Sequence, residues 1–119
     1  LPIWRTRTRR EHLSLLRERL LRRDCGYILF PEGTRSRDGQ MRTFKSGVGA
    51  LVAGSDTPVV PCHIDGAFEA FPPDAKRPCF ARVTIRFGAP ISFTTIENSS
   101  AGWRTVAEAC ERAVRQLGD

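Results

Sequence analysis

A carboxylate, a glycine, two hydroxyls and a guanidinium follow one another without a gap in Glu32-Gly33-Thr34-Arg35-Ser36, directly after Phe30 and Pro31. These residue types suit an anion. The planar fork of Arg35 can hold a phosphate through two charge-assisted hydrogen bonds, each worth roughly 1.5–3 kcal/mol. Thr34 and Ser36 add hydroxyl donors, and Gly33 lets backbone approach a ligand closely. Glu32 would repel a phosphate, so it is expected to orient Arg35 or to accept a hydrogen bond from a hydroxyl of the same substrate. The same letters also suit a plain chain reversal after a strand.

The elements that must position this run are legible on either side of it. Tyr27-Ile28-Leu29-Phe30, bounded by Gly26 and Pro31, predicts a buried strand, and ligands of α/β sheets gather at the carboxyl ends of such strands. Beyond a surface turn at 37–40, Lys45 and Ser46 precede a predicted short helix from Gly47 to Ala53, with Val48, Leu51 and Val52 on one face. Ser46 is expected to cap it, and Lys45 beside that helix end favours a phosphate. Gly54 ends the helix and residues 58 to 64 predict a second strand. Strand, crossover helix and strand make a βαβ unit, so the two strands should be parallel. Pro61 lacks a donor and belongs near an edge, a bulge or an opening. His63, between Cys62 and Ile64, reads as a packed, hydrogen-bonded residue.

Residues 65 to 80 hold Phe68, Phe71, Pro72, Pro73 and Pro78 and read as a loop lined with apolar groups. Residues 81 to 87 alternate Val83, Ile85 and Phe87 with Arg82, Thr84 and Arg86, the period of a half-buried strand. A final helix is expected from about 101 to 117. Trp103, Val106, Ala107, Cys110, Val114 and Leu117 form its inner face, and Glu108/Arg112 and Glu111/Arg115 are spaced for ion pairs.

The amino-terminal end differs in charge. Residues 1 to 23 carry eight arginines (5, 7, 9, 10, 17, 19, 22, 23) against Glu11 and Glu18, so the whole excess of +6 lies there and the remainder balances. Such a cluster attracts phosphates of any kind, whether lipid headgroups, a coenzyme A tail or nucleic acid. Residues 1 to 8 read as extended and 9 to 23 as a helix. Its apolar stripe is Leu13, Leu16, Leu20 and Leu21, with Leu15 off it, and Cys25 and Gly26 close it. The stripe is expected to pack on the sheet, with docking on an anionic bilayer as the second reading.

At 119 residues the chain is expected to form one domain, 1–119, able to bury roughly two thirds of its unfolded surface. No apolar run approaches the roughly 20 residues of a membrane span, and the start Leu1-Pro2-Ile3 suggests a piece of a longer product. Cys25, Cys62, Cys79 and Cys110 are scattered without a Cys-x-x-Cys pair, which signals neither zinc nor a disulfide framework and predicts reduced thiols in a cytoplasmic setting.

Phe30-Pro31-Glu32-Gly33-Thr34-Arg35-Ser36 resembles the signature block of the glycerolipid acyltransferases, the 1-acyl-sn-glycerol-3-phosphate acyltransferase family. Phe44-Lys45-Ser46-Gly47 is similar to the Phe-Lys-x-Gly that follows that signature, and Val60-Pro61-Cys62-His63-Ile64-Asp65-Gly66 to the later Val-Pro-x-x-Ile-x-Gly block. Ile3-Trp4-Arg5 and Phe87-Gly88-Ala89-Pro90-Ile91 are looser likenesses.

The resemblance implies a truncated acyltransferase-like α/β domain: a partly parallel sheet with a βαβ unit flanked by helices. It assigns Glu32, Gly33, Thr34, Arg35 and Ser36 to binding a lysophospholipid or glycerol-phosphate acceptor, Arg5 and Lys45 to auxiliary cations, and Pro61 with Phe68 to the border of the acyl-donor channel. The donor would be acyl-CoA or acyl-carrier protein, with no metal or redox cofactor, at the cytoplasmic face of a membrane. The family's catalytic base is a His separated by four residues from an Asp, whereas here Arg17 follows His12 at that spacing and Phe68 follows His63. The chain is therefore expected to hold acceptor recognition, with the catalytic pair upstream of Leu1. The alternative is a non-catalytic basic module on anionic lipid surfaces or nucleic acid. One Tyr and two Trp supply little stacking surface, so nucleic acid is not the expected partner.

Overall fold

The computed structural model describes residues 10–22, 25–33, 40–66 and 82–118. They contain helices α1 (Arg10–Leu21), α2 (Gly47–Val52) and α3 (Ser100–Leu117) and strands β1 (Cys62–Asp65) and β2 (Thr84–Phe87). The α/β class is the expected one. The core is helical: Leu16 of α1, Val48, Leu51 and Val52 of α2, and Val106, Ala107 and Cys110 of α3 are buried together with Phe44, Ala53 and Phe93.

Leu13 and Leu20 of α1 pack beside Leu16, but Leu21 is 42% exposed. At about 100° per residue Leu21 lies about 140° around the helix from Leu16, so the stripe is narrower than its four leucines suggested. The helix stops at Leu21, with the Arg22 amide bonded to the Glu18 carbonyl at 3.2 Å. Gly26 lies five residues beyond Leu21 and is not among the glycines with positive φ, so it does not form the expected cap. Arg17 turns inward: Nη2 donates to the Ala53 carbonyl at 2.7 Å and Nη1 to the Ala50 carbonyl at 3.4 Å. Carbonyls at a helix end lack helical partners and carry partial negative charge, so a guanidinium satisfies both needs. An arginine that charge counting placed in the phosphate-attracting cluster instead joins α1 to α2.

All of α2 from Val48 to Val52 is buried. Ser46 does not cap it with its side chain. Its backbone is already helical (φ −72, ψ −4), and its carbonyl accepts from the Gly49 and Ala50 amides at 3.0 and 3.3 Å. Side-chain capping needs an extended residue. Ser99 meets that condition at α3, with φ −144 and ψ 168 and its Oγ accepting from the Gly102 amide at 3.2 Å. Gly54 ends the α2 region at φ 74 and donates its amide to the Phe93 carbonyl at 2.9 Å. Where α2 crosses α3 the backbones nearly touch: a Cβ built on Gly49 would lie 2.3 Å from the Cα of Trp103.

The strand expectations need correction. Residues 27–30 form no strand, and Ile28 and Phe30 are 87% and 72% exposed. Tyr27 is anchored to α1, its hydroxyl donating to the Leu16 carbonyl at 3.3 Å. An apolar run is buried as sheet only when a neighbouring strand takes up its backbone groups, and none does so among the described residues. The expected parallel pairing with 58–64 is therefore not found there. Instead β1 pairs antiparallel with β2, Cys62 opposite Phe87 and Ile64 opposite Ile85, and a bridge joins Val59 to Ile91. Of this ribbon, the face carrying His63 and Arg86 meets the end of α3, with Arg86 Nη1 donating to the Leu117 carbonyl at 3.3 Å and the His63 ring against Gly118. The other face, with Ile64, Ile85 and Phe87, stays exposed, so β2 is not the half-buried strand its alternation implied.

Cys110 is buried, which pushes its thiol up to about 11, whereas Cys25 and Cys62 are exposed. The thiolate is the reactive form. Cys25 and Cys62 should therefore label readily with a disulfide reagent near about pH 8, and Cys110 only on unfolding. Peptide mass spectrometry of the labelled chain reads this; Cys110 labelling as fast as Cys25 in the folded protein would contradict its burial.

Candidate functional site

The described part of the signature is Phe30 to Gly33. It forms a tight turn: the Gly33 amide donates to the Phe30 carbonyl at 3.1 Å and Gly33 stands at φ 77, a conformation glycine adopts without strain. Glu32 is half-buried and its Oε2 accepts from the Arg42 amide at 2.8 Å. Arg35 and a substrate hydroxyl were the expected partners of Glu32, and the observed one is a backbone amide ten residues on. Thr34, Arg35 and Ser36 lie outside the described residues, as do Arg5 and Phe68.

Lys45 joins the turn from the other side. Its amide donates to the Pro31 carbonyl at 2.8 Å, and its side chain lies across Gly33, with Cε, Cδ and Nζ 3.0–3.1 Å from where a Cβ on that glycine would be. Phe44 explains this placement. Its ring is buried in the helical core at 3% exposure, and the chain continues from that anchor to put Lys45 on the exposed side. The Phe-Lys pair thus combines a core plug with a surface cation.

Residues 41 to 45 are also held by α3, which sequence reasoning did not connect to the site. Glu111 Oε1 accepts from the Phe44 amide at 2.8 Å, Arg104 Nη2 donates to the Phe44 carbonyl, and Arg115 Nη2 donates to the Met41 carbonyl at 3.3 Å. Glu111 and Arg115 also form the expected i,i+4 pair, Oε2 to Nε at 3.1 Å, whereas Glu108 faces Arg104 at 3.9 Å rather than Arg112. The Phe44 amide, reinforced by Arg115 and opposed by burial, holds the Glu111 carboxyl below the usual carboxylate range. A depressed carboxylate pKa means that the linkage is in place above the ordinary glutamate range and is lost as pH falls through the lowered value. The i,i+4 spacing was the only sequence signal for these residues.

Pro61 is buried; its ring packs against Gly88, and its carbonyl accepts from the Gly88 amide at 2.8 Å. His63 is packed, as its place on the strand suggested, but the expected hydrogen bond is not found at its buried Nδ1, which has no partner among the described residues. His12 is exposed on α1.

A family model described as Acyltransferase matches residues 1–65, which include the signature turn and the Phe44-Lys45 segment packed on it. The chain belongs to the acyltransferase family. Among its relatives is a 1-acyl-sn-glycerol-3-phosphate acyltransferase of Limnanthes douglasii, 36% identical over 70 residues that make up 59% of this chain and 25% of that protein. The human 1-acyl-sn-glycerol-3-phosphate acyltransferase beta is 28% identical over 100 residues, 84% of this chain and 35% of that one. The crystal structure of the 1-acyl-sn-glycerophosphate acyltransferase PlsC from Thermotoga maritima is similar over 88% of this chain and 45% of its own, with a TM-score of 0.70 at 27% identity. The chain thus spans about a quarter to a third of these curated acyltransferases and under half of the solved one.

Proposed function

We propose that this chain forms the acceptor-binding part of an O-acyltransferase of phospholipid synthesis, one that esterifies a lysophospholipid or glycerol-phosphate acceptor with a fatty acyl group. The observation that carries the reading is the seat of Lys45 across Gly33, which brings a cation to the turn that in sequence immediately precedes Thr34, Arg35 and Ser36. A phosphate monoester is the ligand best matched to a guanidinium, an ammonium and two hydroxyls. The donor is a thioester of coenzyme A or of acyl-carrier protein, the acceptor site needs no metal, and contact with the membrane is peripheral. Among the described residues no helix is long and apolar enough to cross a bilayer.

In the reaction the acceptor hydroxyl oxygen attacks the thioester carbonyl carbon, a base takes the hydroxyl proton, and the carbon–sulfur bond breaks to release the thiol. Histidine suits the base near neutral pH. Neither His12, exposed on α1, nor His63, packed against Gly118, has an Asp at the family spacing, so the base is expected outside these 119 residues. Arg35 and Lys45 would hold the acceptor phosphate and so fix where its hydroxyl lies. Arg5 is a third cation for that phosphate, and Pro61 and Phe68 border the donor.

The test is Arg35→Ala in the longer enzyme that carries this sequence. Losing the guanidinium should raise the acceptor KM roughly tenfold to a hundredfold with little change in Tm. An unchanged acceptor KM would count against the assignment.

A further inference from the structure

Residues 41 to 45 lie between two layers. On one side their backbone meets α3: the Met41 carbonyl takes Arg115, and the Phe44 amide and carbonyl take Glu111 and Arg104. On the other side the Arg42 amide binds Glu32 and the Lys45 amide binds the Pro31 carbonyl. The backbone groups of 41 and 44 thus engage α3, while the amides of 42 and 45 engage the signature turn. Glu111 therefore stands one backbone residue away from Lys45, though 66 positions later in the chain.

We propose that Glu111 of α3 is a positioning residue for the acceptor site, holding the Phe44 amide so that Arg42 fixes Glu32 and Lys45 reaches across Gly33. The proposal rests on the acceptor-binding reading above and adds a residue from the opposite end of the chain. Glu111 is suited to the role because its side chain is only 20% exposed and both its oxygens are used, Oε1 on Phe44 and Oε2 on Arg115. A bond to a backbone amide that is itself tethered to the core by the Phe44 ring transmits position better than a bond to a surface side chain.

The test compares the 119-residue chain with its Glu111→Ala, Glu111→Gln and Val114→Ala variants. Each is titrated with sn-glycerol 3-phosphate while the Gly33 and Lys45 amide resonances are followed, and hydrogen exchange is measured at the Arg42 and Lys45 amides. Glu111→Gln keeps an acceptor for the Phe44 amide and should bind within about twofold of the parent, whereas Glu111→Ala should bind about tenfold more weakly. Val114→Ala trims the partly buried face of α3 without removing a hydrogen bond to residues 41 to 45 and should leave affinity unchanged. A Glu111→Ala variant that is folded, binds as the parent does and protects both amides equally would overturn the proposal, as would equal losses in Glu111→Ala and Val114→Ala. If the parent chain does not bind the probe, the acceptor reading fails by itself. Positioning is then decided by exchange alone, which should quicken about tenfold at Arg42 and Lys45 in Glu111→Ala and stay unchanged in Glu111→Gln.

Discussion

Replacing Phe44 with alanine is expected to cost about 3–5 kcal/mol of stability, enough to leave little or no folded chain. The ring is 3% exposed and sits in the cluster formed by all three helices, so its removal opens a cavity that rigid helices close only in part. The same residue carries the Glu111 and Arg104 bonds on its backbone and precedes Lys45, so what survives should also lose the seat of Lys45 on Gly33. Urea denaturation followed by circular dichroism gives the first effect. Phe44→Leu, which fills most of the volume, should recover most of the stability and with it the Lys45 amide protection. A Phe44→Ala chain with an unchanged midpoint would show that the helices do not close around this ring.

Gly49→Ala is expected to be nearly as damaging, although it adds a single methyl group. That carbon would sit 2.3 Å from both the Cα and the carbonyl oxygen of Trp103. Backbone cannot swing aside as a side chain can, so α2 and α3 must separate or α2 must shift as a body. Overpacking of this kind typically costs about 1–3 kcal/mol, and contact with backbone places this case at the upper end. The exposed Gly26 is the matched control, because a Cβ there meets nothing within 4 Å. Gly26→Ala should be neutral, and the difference between the two denaturation midpoints measures the closeness of the crossing. Equal midpoints would mean that the helices are not packed backbone to backbone.

The helices were the most legible part of the fold. The spacings of Leu13, Leu16 and Leu20, of Val48, Leu51 and Val52, and of Val106, Ala107 and Cys110 each place a set of side chains on one helix face, and each set lies in the core or, for Leu13 and Leu20, packs against it. Periodicity reports such faces because a helix satisfies its own backbone and needs only a partner for its apolar side. The strands were less legible for the converse reason. Tyr27 to Phe30 has the composition of a buried strand, but its backbone groups depend on a neighbour that composition cannot name, and Ile28 and Phe30 are exposed. The alternation in 83–87 likewise marks a two-faced strand without saying which face is covered; α3 meets the His63 and Arg86 face and leaves the apolar one open.

For the site, the order of amino acids alone determined which chemistry is present: a turn of glutamate, glycine, hydroxyls and arginine, a Phe-Lys pair beyond it, and two histidines without the family's aspartate. Residue types and short spacings are local properties, and functional groups are chosen locally. Only the tertiary structure decided which groups meet. It turned Arg17 from a surface charge into the cap of α2, gave Glu32 a backbone amide as its partner, and brought Glu111 to the segment that holds Lys45. These contacts join positions 10 to 67 apart in the chain, and at such separations proximity is set by how the helices pack, which no local pattern encodes.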